Sequence, residues 1–222
     1  MRMHGLKICG ITDNETAQYC VEQGVGALGV VFFEASPRYV TPRQAAAIFA
    51  GVPQDVAKVG VCVNLSVDTM LELAAIAGLT TIQMHGTESF ETMQAVRDAD
   101  YRVIKVLKSS GKNLVNDAGN LPVCTGVMVE LSTGNLPGGN GAGWDWKSAA
   151  VLRGQYEFAL AGGLNADNLI EAKRTSGAVA LDLSSAIESS PGVKDRAKIH
   201  SVCRQAAKLY LNRIFWRFTR CQ

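Results

Sequence analysis

The 222-residue sequence lacks the features of several protein classes. It has no apolar run approaching the ~20 residues of a membrane helix, and its first residues lack the long apolar stretch of a signal peptide. Neither sign of charge is in excess, because 22 Lys and Arg stand against 20 Asp and Glu, which argues against a nucleic-acid-binding protein. We therefore expect a cytoplasmic protein that contacts neither a membrane nor nucleic acid.

Clustered cysteines are also missing. The six cysteines are scattered singly, and no CxxC or Cys/His cluster has the spacing of a zinc site. Most lie in apolar runs such as Val61-Cys62-Val63, which is typical of small buried thiols in a reducing compartment. The cysteine pattern therefore predicts no metal site.

Short runs rich in β-branched residues alternate with stretches of helical period. Their starts lie about 21 to 31 residues apart, the length of one strand-plus-helix unit. Apolar residues make up 47% of the chain, which is enough for a sizeable core. The eight predicted strands are Leu6–Cys9, Ala27–Phe32, Lys58–Val63, Thr81–Met84, Val103–Leu107, Val127–Leu131, Glu157–Ala161 and Ala178–Leu183.

Helix start and stop signals lie between these strands. A polar capping residue opens a helix, and a glycine past its last turn ends it. The signals are Thr12 or Asp13 with Gly24, Thr41 followed by Pro42, Ser66 with Val67–Ala77 and Gly78, and Asn165 or Asp167 with Gly177. The predicted fifth helix, Asn113–Ala118, has the weakest pattern.

Two architectures use such units: a closed (β/α)₈ barrel and a doubly wound open sheet. Eight similar units at a total just above the ~200-residue lower limit for barrels favour closure. A dinucleotide-binding GxGxxG is missing after the first strand, where Cys9-Gly10-Ile11-Thr12 stands. We therefore predict an α/β fold, a single-domain (β/α)₈ TIM barrel over residues 1–204, with residues 205–222 extending the last helix.

The carboxy-terminal segment 205–222 has an apolar stripe at helical spacing and arginines on the opposite face. The stripe consists of Ala207, Tyr210, Leu211, Ile214, Phe215 and Phe218, and the arginines are Arg213, Arg217 and Arg220. Two interpretations are open: the last helix continues over the barrel wall, or a basic amphipathic helix contacts a membrane or a partner. An apolar stripe is usually part of a core, so we expect the former.

Small residues follow the last two predicted strands at the carboxyl ends, where an enzyme of this architecture builds its active site. Gly162-Gly163 follows the seventh strand and Ser184-Ser185 the eighth. Barrels frequently bind phosphate there, since glycine lets the backbone approach an anion and serine adds hydroxyl donors. Two tight turns without a ligand are the alternative, and the paired placement favours a phosphate site.

Cys9 and Glu130 form the candidate acid/base pair. Lys7 points to the same side of the first strand as Cys9, and a cation there lowers the pKa of a thiol. Glu130 ends the apolar strand Val127-Met128-Val129, where partial burial favours the protonated form that a general acid needs. Position alone leaves a second interpretation open, in which Cys9 is a small buried hydrophobic residue and Glu130 pairs with a lysine.

Two further side chains at the strand ends have two interpretations each. Arg38 either clamps a substrate carboxylate with two hydrogen bonds or stays solvated in its loop. His85 either contacts the substrate or is a core histidine bonded to backbone. Spacing alone favours the core interpretation for His85.

These residues lie in strings that resemble the phosphoribosylanthranilate isomerase family, barrel enzymes of the tryptophan pathway. The strings occur in the family's order and cover residues from about 6 to 200. The most specific are KICGIT, Lys7–Thr12, and QMHG, Gln83–Gly86. The others are Ser36–Val40, Val59–Asn64, Gly138–Gly141 leading to Trp144–Trp146, Ala161–Leu164, Asp182–Ser185 and Ser190–Asp195.

The resemblance implies an Amadori rearrangement of N-(5-phosphoribosyl)anthranilate to 1-(2-carboxyphenylamino)-1-deoxyribulose 5-phosphate, without cofactor or metal. It implies Glu130 as general acid and Cys9 as general base. The implied substrate-binding residues are Lys7, Arg38, His85 and Asp182, with Arg38 on the anthranilate carboxylate, and the implied phosphate-binding residues are Gly162, Gly163, Ser184 and Ser185. We expect a small phosphorylated substrate as the partner of a monomer or homodimer.

The sequence departs from the family's pattern at three positions. Glu130 replaces the family's aspartate, which moves the carboxyl by roughly 1.5 Å, and a misplacement of about 1 Å can cost ~10²-fold in rate. Asn140 lies in a glycine turn, and Ala186 stands where the family has glycine. We expect a working isomerase. The alternatives are another phosphosugar isomerase on the same barrel and a non-catalytic barrel that binds a phosphorylated ligand.

Overall fold

Eight parallel strands form a closed barrel in chain order. The computed structural model describes residues 2–108, 113–123, 125–130, 146–209 and 215–216. The strands are β1 (Met3–Cys9), β2 (Val25–Val31), β3 (Ala57–Cys62), β4 (Thr81–Met84), β5 (Arg102–Lys108), β6 (Gly126–Glu130), β7 (Phe158–Ala161) and β8 (Ala180–Leu183). The predicted (β/α)₈ barrel is confirmed.

Helices connect the strands on the outside of the barrel. They are α1 (Asn14–Glu22), α2 (Pro42–Ile48), α3 (Val67–Ala77), α4 (Phe90–Asp98), α5 (Leu114–Gly119), α6 (Leu169–Ser176) and α7 (Arg196–Ala206). A 3₁₀ helix, Trp146–Leu152, lies between β6 and β7, and a short hairpin of β9 (Glu188–Ser190) and β10 (Val193–Lys194) follows β8. Among the described residues no helix is long and apolar enough to cross a membrane.

Capping side chains set the helix starts at most of the predicted positions. The Ser66 hydroxyl accepts a hydrogen bond from the Thr69 amide, and α3 ends at Gly78 with a left-handed φ of +64°. Thr41 and Gln44 form a capping box ahead of Pro42 at the start of α2. Both helices therefore begin at the residues that the sequence predicts.

Helix α6 begins later than predicted. The side chain of Asn165 accepts hydrogen bonds from the amides of Asp167 and Asn168, so these residues form a turn, and the helix starts at Leu169. The predicted caps Asn165 and Asp167 therefore precede the helix. Its predicted end at Gly177 is confirmed, with a φ of +78°.

Side chains alternate between two layers along each strand. On β7, Phe158 and Leu160 pack outward against the helices, whereas Ala159 and Ala161 belong to a separate cluster inside the barrel. The outer layer is the larger core, and the inner cluster fills the amino-terminal half of the barrel. The carboxyl half holds polar side chains beside a small apolar cluster of Cys9, Val31 and Val61.

The carboxy-terminal segment differs from its prediction where the structure describes it. Helix α7 ends at Ala206, and a 3₁₀ turn continues to Leu209. Phe215 and Trp216 are each 1% exposed and pack inside the barrel, because small inward side chains leave room there, so Phe215 is not on the outer wall. Residues 210–214 and 217–222, which hold most of the predicted stripe, lie outside the described residues, as do Asn140 and Leu131.

The cap of α3 is expected to contribute measurably to stability. Ser66→Ala removes the acceptor of the Thr69 amide and should lower the free energy of unfolding by about 1 kcal/mol. Ser66→Asp keeps a capping oxygen and should stay close to the parent. Urea denaturation followed by circular dichroism measures both, and an alanine variant as stable as the aspartate variant contradicts the assignment.

Candidate active site

One cavity lies at the carboxyl ends of the strands and gathers most of the predicted site. It is lined by six of the ten predicted site residues: Cys9, Arg38, His85, Glu130, Asp182 and Ser184. Lys7 lies beneath it and is fully buried. Gly162, Gly163 and Ser185 lie in the adjoining loops and are not among the lining residues.

A buried ion pair joins the first and last strands under this cavity. The Lys7 ammonium donates to both carboxylate oxygens of Asp182, at 2.9 and 3.0 Å. The two residues are paired across the parallel β1–β8 ladder, so the strands themselves hold them together. Burial disfavours the charged Lys7, but the charges of Asp182 and Cys9 outweigh it and raise the pKa of Lys7.

The thiol of Cys9 lies in the same electrostatic cluster. Burial raises the pKa of Cys9, the Lys7 ammonium opposes that rise, and the Asp182 carboxylate adds to it. The net direction is upward. The sequence predicts that Lys7 lowers the pKa of Cys9, and that effect is present. The pKa is nevertheless raised overall, because a position on a strand does not reveal how completely the thiol is buried.

Glu130 pairs with His85, which lines the same cavity. Its Oε2 lies 2.6 Å from Nε2 of His85, and both side chains are buried, at 8% and 7% exposure. The His85 amide donates to the Cys62 carbonyl at 2.9 Å, which fixes the start of the loop after β4. Within the part of the chain that the structure describes, Glu130 pairs with His85 and not with a lysine, and His85 faces the site.

Arg38 is held by a carboxylate from the loop after β8. Its Nε and Nη2 each donate to Glu188, at 2.7 Å, and Lys194 donates to the same carboxylate at 2.8 Å. Burial raises the pKa of Glu188, but its bonds to these two cations outweigh burial and lower it. Burial lowers the pKa of Lys194 despite that partner. Arg38 is therefore ordered at the cavity instead of being solvated.

The two predicted phosphate loops lie side by side, because β7 and β8 are neighbours in the barrel. Gly162 and Gly163 have φ values of +88° and +67°, a conformation that other residues rarely adopt. The Asn168 side chain donates to the Gly163 carbonyl at 2.8 Å and braces this turn. The Ser184 hydroxyl donates to the Cys9 carbonyl at 3.1 Å, which ties the second loop to β1.

Comparison with known proteins shows the family of this chain. Residues 6–205 match the family described as N-(5'-phosphoribosyl)anthranilate (PRA) isomerase. The chain belongs to the phosphoribosylanthranilate isomerase family. The match ends before Phe215 and Trp216.

Individual members of the phosphoribosylanthranilate isomerase family are similar over most of their length. The enzyme of Zymomonas mobilis is 37% identical over 87% of this chain and 93% of its own, and that of Citrifermentans bemidjiense is 38% identical over 94% and 100%. A crystal structure of the Thermotoga maritima enzyme superposes with a TM-score of 0.84 at 32% identity, covering 91% of this chain and 98% of that one. Another solved structure of the family, a complex with reduced 1-(o-carboxyphenylamino)-1-deoxyribulose 5-phosphate, has a TM-score of 0.81 at 31% identity over the same shares.

A second layer of residues holds the loop of His85. The carboxylate of Glu88 accepts from the amides of Asn64 and Gly86, and from the Lys105 ammonium at 2.6 Å. Lys105 also donates to the Gly86 carbonyl, at 2.6 Å. These bonds join the loops after β3 and β4 to the middle of β5, so the histidine stands on a fixed loop in this family member.

Sequence reasoning missed several residues of the site. Glu188 and Lys194 lie too far beyond β8 for strand-end reasoning to select them. Gln83 shares the inward face of β4 with His85; it is 2% exposed, lines the cavity, and its Oε1 has no hydrogen-bond partner within the described ranges. The alternation along β4 could have found Gln83, since residues two apart face the same side.

Gly29 was also missed, and it sets the space beside the thiol. A Cβ on this residue would lie 3.0 Å from the Cys9 Sγ, 3.0 Å from the Lys7 Cε and 3.1 Å from its Nζ. Because Gly29 has no side chain, the Cys9 thiol and the Lys7 ammonium have room to lie next to β2.

We expect Gly29→Ala to displace Cys9 and Lys7 by a few tenths of an ångström. Since a misplacement of about 1 Å can cost ~10²-fold, kcat should fall about tenfold while the protein stays folded. Gly119→Ala is the matched control, because it adds the same methyl group at the end of α5. Steady-state kinetics and thermal melts measure both variants, and equal kcat values for the two would contradict the inferred crowding.

Proposed function

We propose that this protein isomerises N-(5'-phosphoribosyl)anthranilate to 1-(o-carboxyphenylamino)-1-deoxyribulose 5-phosphate in tryptophan biosynthesis, with Glu130 as general acid and Cys9 as general base. The observation that carries the assignment is that the two side chains line one cavity at the carboxyl ends of β6 and β1. An acid and a base facing one substrate are what an aldose-to-ketose isomerisation needs.

The first step opens the furanose ring. Glu130 gives its proton to the ring oxygen, the bond between that oxygen and C1 breaks, and the nitrogen lone pair forms a C1=N iminium. Nε2 of His85 lies 2.6 Å from Oε2 of Glu130, within hydrogen-bond distance. His85 thus positions the acid at the cavity.

The second step forms the product. The Cys9 thiolate removes the proton on C2, the C–H electron pair forms a C1=C2 double bond, and the iminium electrons return to nitrogen. The enolamine loses its hydroxyl proton and gains one at C1, which gives the ketone. Since Glu130 has given one proton and Cys9 has taken one, a single proton exchange with water resets the site. The Lys7 ammonium stabilises the thiolate during this cycle.

The ends of the substrate are bound on either side of the reacting carbons. Glu188 accepts from Nε and Nη2 of Arg38, and among the described residues Nη1 has no hydrogen-bond partner, so we assign Nη1 to the anthranilate carboxylate. The phosphate is bound by the loops of Gly162-Gly163 and Ser184-Ser185, which adjoin the cavity. The cytoplasmic location and the choice between monomer and homodimer stay predictions from the sequence.

The proposal is tested by the fluorescence decay of freshly made phosphoribosylanthranilate on adding purified protein. Cys9→Ala and Glu130→Gln should each lower kcat by about 10²- to 10⁴-fold, the usual contribution of a general acid or base. Cys20→Ala removes another buried thiol, on α1, and should leave kcat unchanged. Glu130→Asp keeps the carboxyl and should retain turnover.

Two outcomes contradict the proposal. Tight product binding by the parent without turnover indicates the non-catalytic barrel, and a parent that is inactive while Glu130→Asp turns over shows that glutamate is not a competent acid here. Turnover of other phosphosugars with weak dependence on Arg38 supports the alternative isomerase, which has no aromatic carboxylate to bind.

The pH dependence should report the thiol. The charged groups around Cys9 are Lys7, Asp182, Lys194 and Arg38, and the pKa of the thiol stays above its ordinary value among them. Because the thiolate is the reactive form and is the minor form at neutral pH, the rate of Cys9 alkylation by iodoacetamide should rise with pH between about 6.5 and 8.5, by up to about tenfold per pH unit. Mass spectrometry of the Cys9 peptide measures this rate. An alkylation rate that does not change with pH over this range contradicts the raised pKa of Cys9.

A further inference from the structure

Two residues from the carboxy-terminal segment lie inside the barrel at the end opposite the active site. Phe215 and Trp216 are each 1% exposed, and their rings meet edge to face with centroids 4.9 Å apart. The Trp216 carbonyl accepts a hydrogen bond from the hydroxyl of Thr81, the first residue of β4, at 3.1 Å. Phe215 and Trp216 therefore lie near the amino-terminal ends of the strands.

The strands leave room for these rings. Barrel interiors are usually filled by bulky branched side chains. Here the inward positions at the amino-terminal ends of four strands are alanines that cluster with Phe215 and Trp216: Ala27 on β2, Ala57 on β3, Ala159 on β7 and Ala180 on β8. The small strand residues and the two large rings together make one packed layer, so Phe215 and Trp216 are part of the core of this chain.

The Trp216 ring contacts the charged group that underlies the active site. The Lys7 Nζ lies over the ring, 5.7 Å from its centroid, which is within the range of a cation–π contact. The same Nζ donates to Asp182, and a side chain on Gly29 would crowd both it and the Cys9 sulfur. A chain of contacts therefore runs from Trp216 through Lys7 to the thiol.

We propose that Trp216 is a positioning residue for the isomerisation: its ring closes the barrel beneath Lys7 and holds the ammonium against Asp182 and beside Cys9. The inference rests on the proposed role of Cys9 as the base. Without the ring, Lys7 can move down the barrel axis, and the thiolate loses part of its electrostatic stabilisation. The indole Nε1 has no hydrogen-bond partner among the described residues, so the ring face and not the N–H is what the site uses.

Three full-length variants test this without removing the segment, since a truncated chain can simply fail to fold. Trp216→Leu fills the space without a ring, and Trp216→Phe restores an aromatic face without the N–H. Phe158→Leu is the matched control, because Phe158 is equally buried on β7 but packs in the outer layer. The readouts are kcat, KM, thermal stability and the pH at which iodoacetamide alkylation of Cys9 is half-maximal, followed by mass spectrometry of the Cys9 peptide.

We expect Trp216→Leu to lower kcat about 2- to 30-fold, the range that cation–π energies correspond to, with KM changed less than about twofold. Its Cys9 alkylation midpoint should move to higher pH, since a less well-held Lys7 stabilises the thiolate less. Trp216→Phe should restore both values to near the parent's. Phe158→Leu should lower thermal stability and leave kcat and the alkylation midpoint unchanged.

Two results would overturn the inference. One is a Trp216→Leu variant whose kcat and alkylation midpoint equal those of the parent, and the other is a Trp216→Phe variant as impaired as Trp216→Leu. A parent without turnover contradicts the proposed function instead, and the alkylation midpoints then still decide whether Trp216 acts on Cys9 through Lys7.

Discussion

The buried ion pair of Lys7 and Asp182 is the interaction on which the rest of this molecule depends. It joins the first strand to the last, at the seam where the barrel closes, and it lies directly beneath the thiol. Removing one partner of a buried pair typically costs about 3–5 kcal/mol, since an uncompensated charge is left behind. The pair is therefore tolerated in the interior only as a unit, and the ladder that closes the barrel also places the Lys7 charge beside Cys9.

Each of the three cations around this pair has a carboxylate partner. Lys7 is bonded to Asp182, and Arg38 and Lys194 are both bonded to Glu188. In a low-dielectric cavity such pairs are strong, and an unpaired member is costly. Burial raises the pKa of Cys9, whereas the fixed Lys7 ammonium beside it favours the thiolate. The thiolate forms where that cation is held, which makes the position of Lys7 as important as its charge.

Local sequence signals predict the barrel and most of the site residues at the carboxyl ends of its strands. Thr81–Met84 and Val67–Ala77 have the predicted bounds, because a β-branched run and a Ser-to-Gly capping pattern depend on neighbours in the chain. Strand-end reasoning also selects Cys9 and Glu130, since parallel strands bring their carboxyl ends to one edge. Glu188 could not be selected, because its partner Arg38 is 150 residues away and only the closed barrel brings the two together. The net pKa direction of Cys9 was missed for the same reason, as burial is a property of the whole fold.

The position of Phe215 was predicted wrongly for a different reason. The apolar pattern was visible in the sequence, but the surface against which Phe215 packs was not. The apolar stripe predicts that Phe215 lies on the barrel wall, but Phe215 and its neighbour Trp216, which is not a member of the stripe, pack against alanines from strands spread over the whole chain. Each alanine alone is an ordinary strand residue. Read together on the inward face, they leave a space that a barrel must fill, because protein interiors are packed at near-crystalline density. The small inward residues of several strands and the aromatic residues beyond the last helix therefore satisfy one packing requirement, which is a filled barrel interior. This packing links Trp216 to the active site through Lys7, whose ammonium lies over the Trp216 ring and beside Asp182 and Cys9.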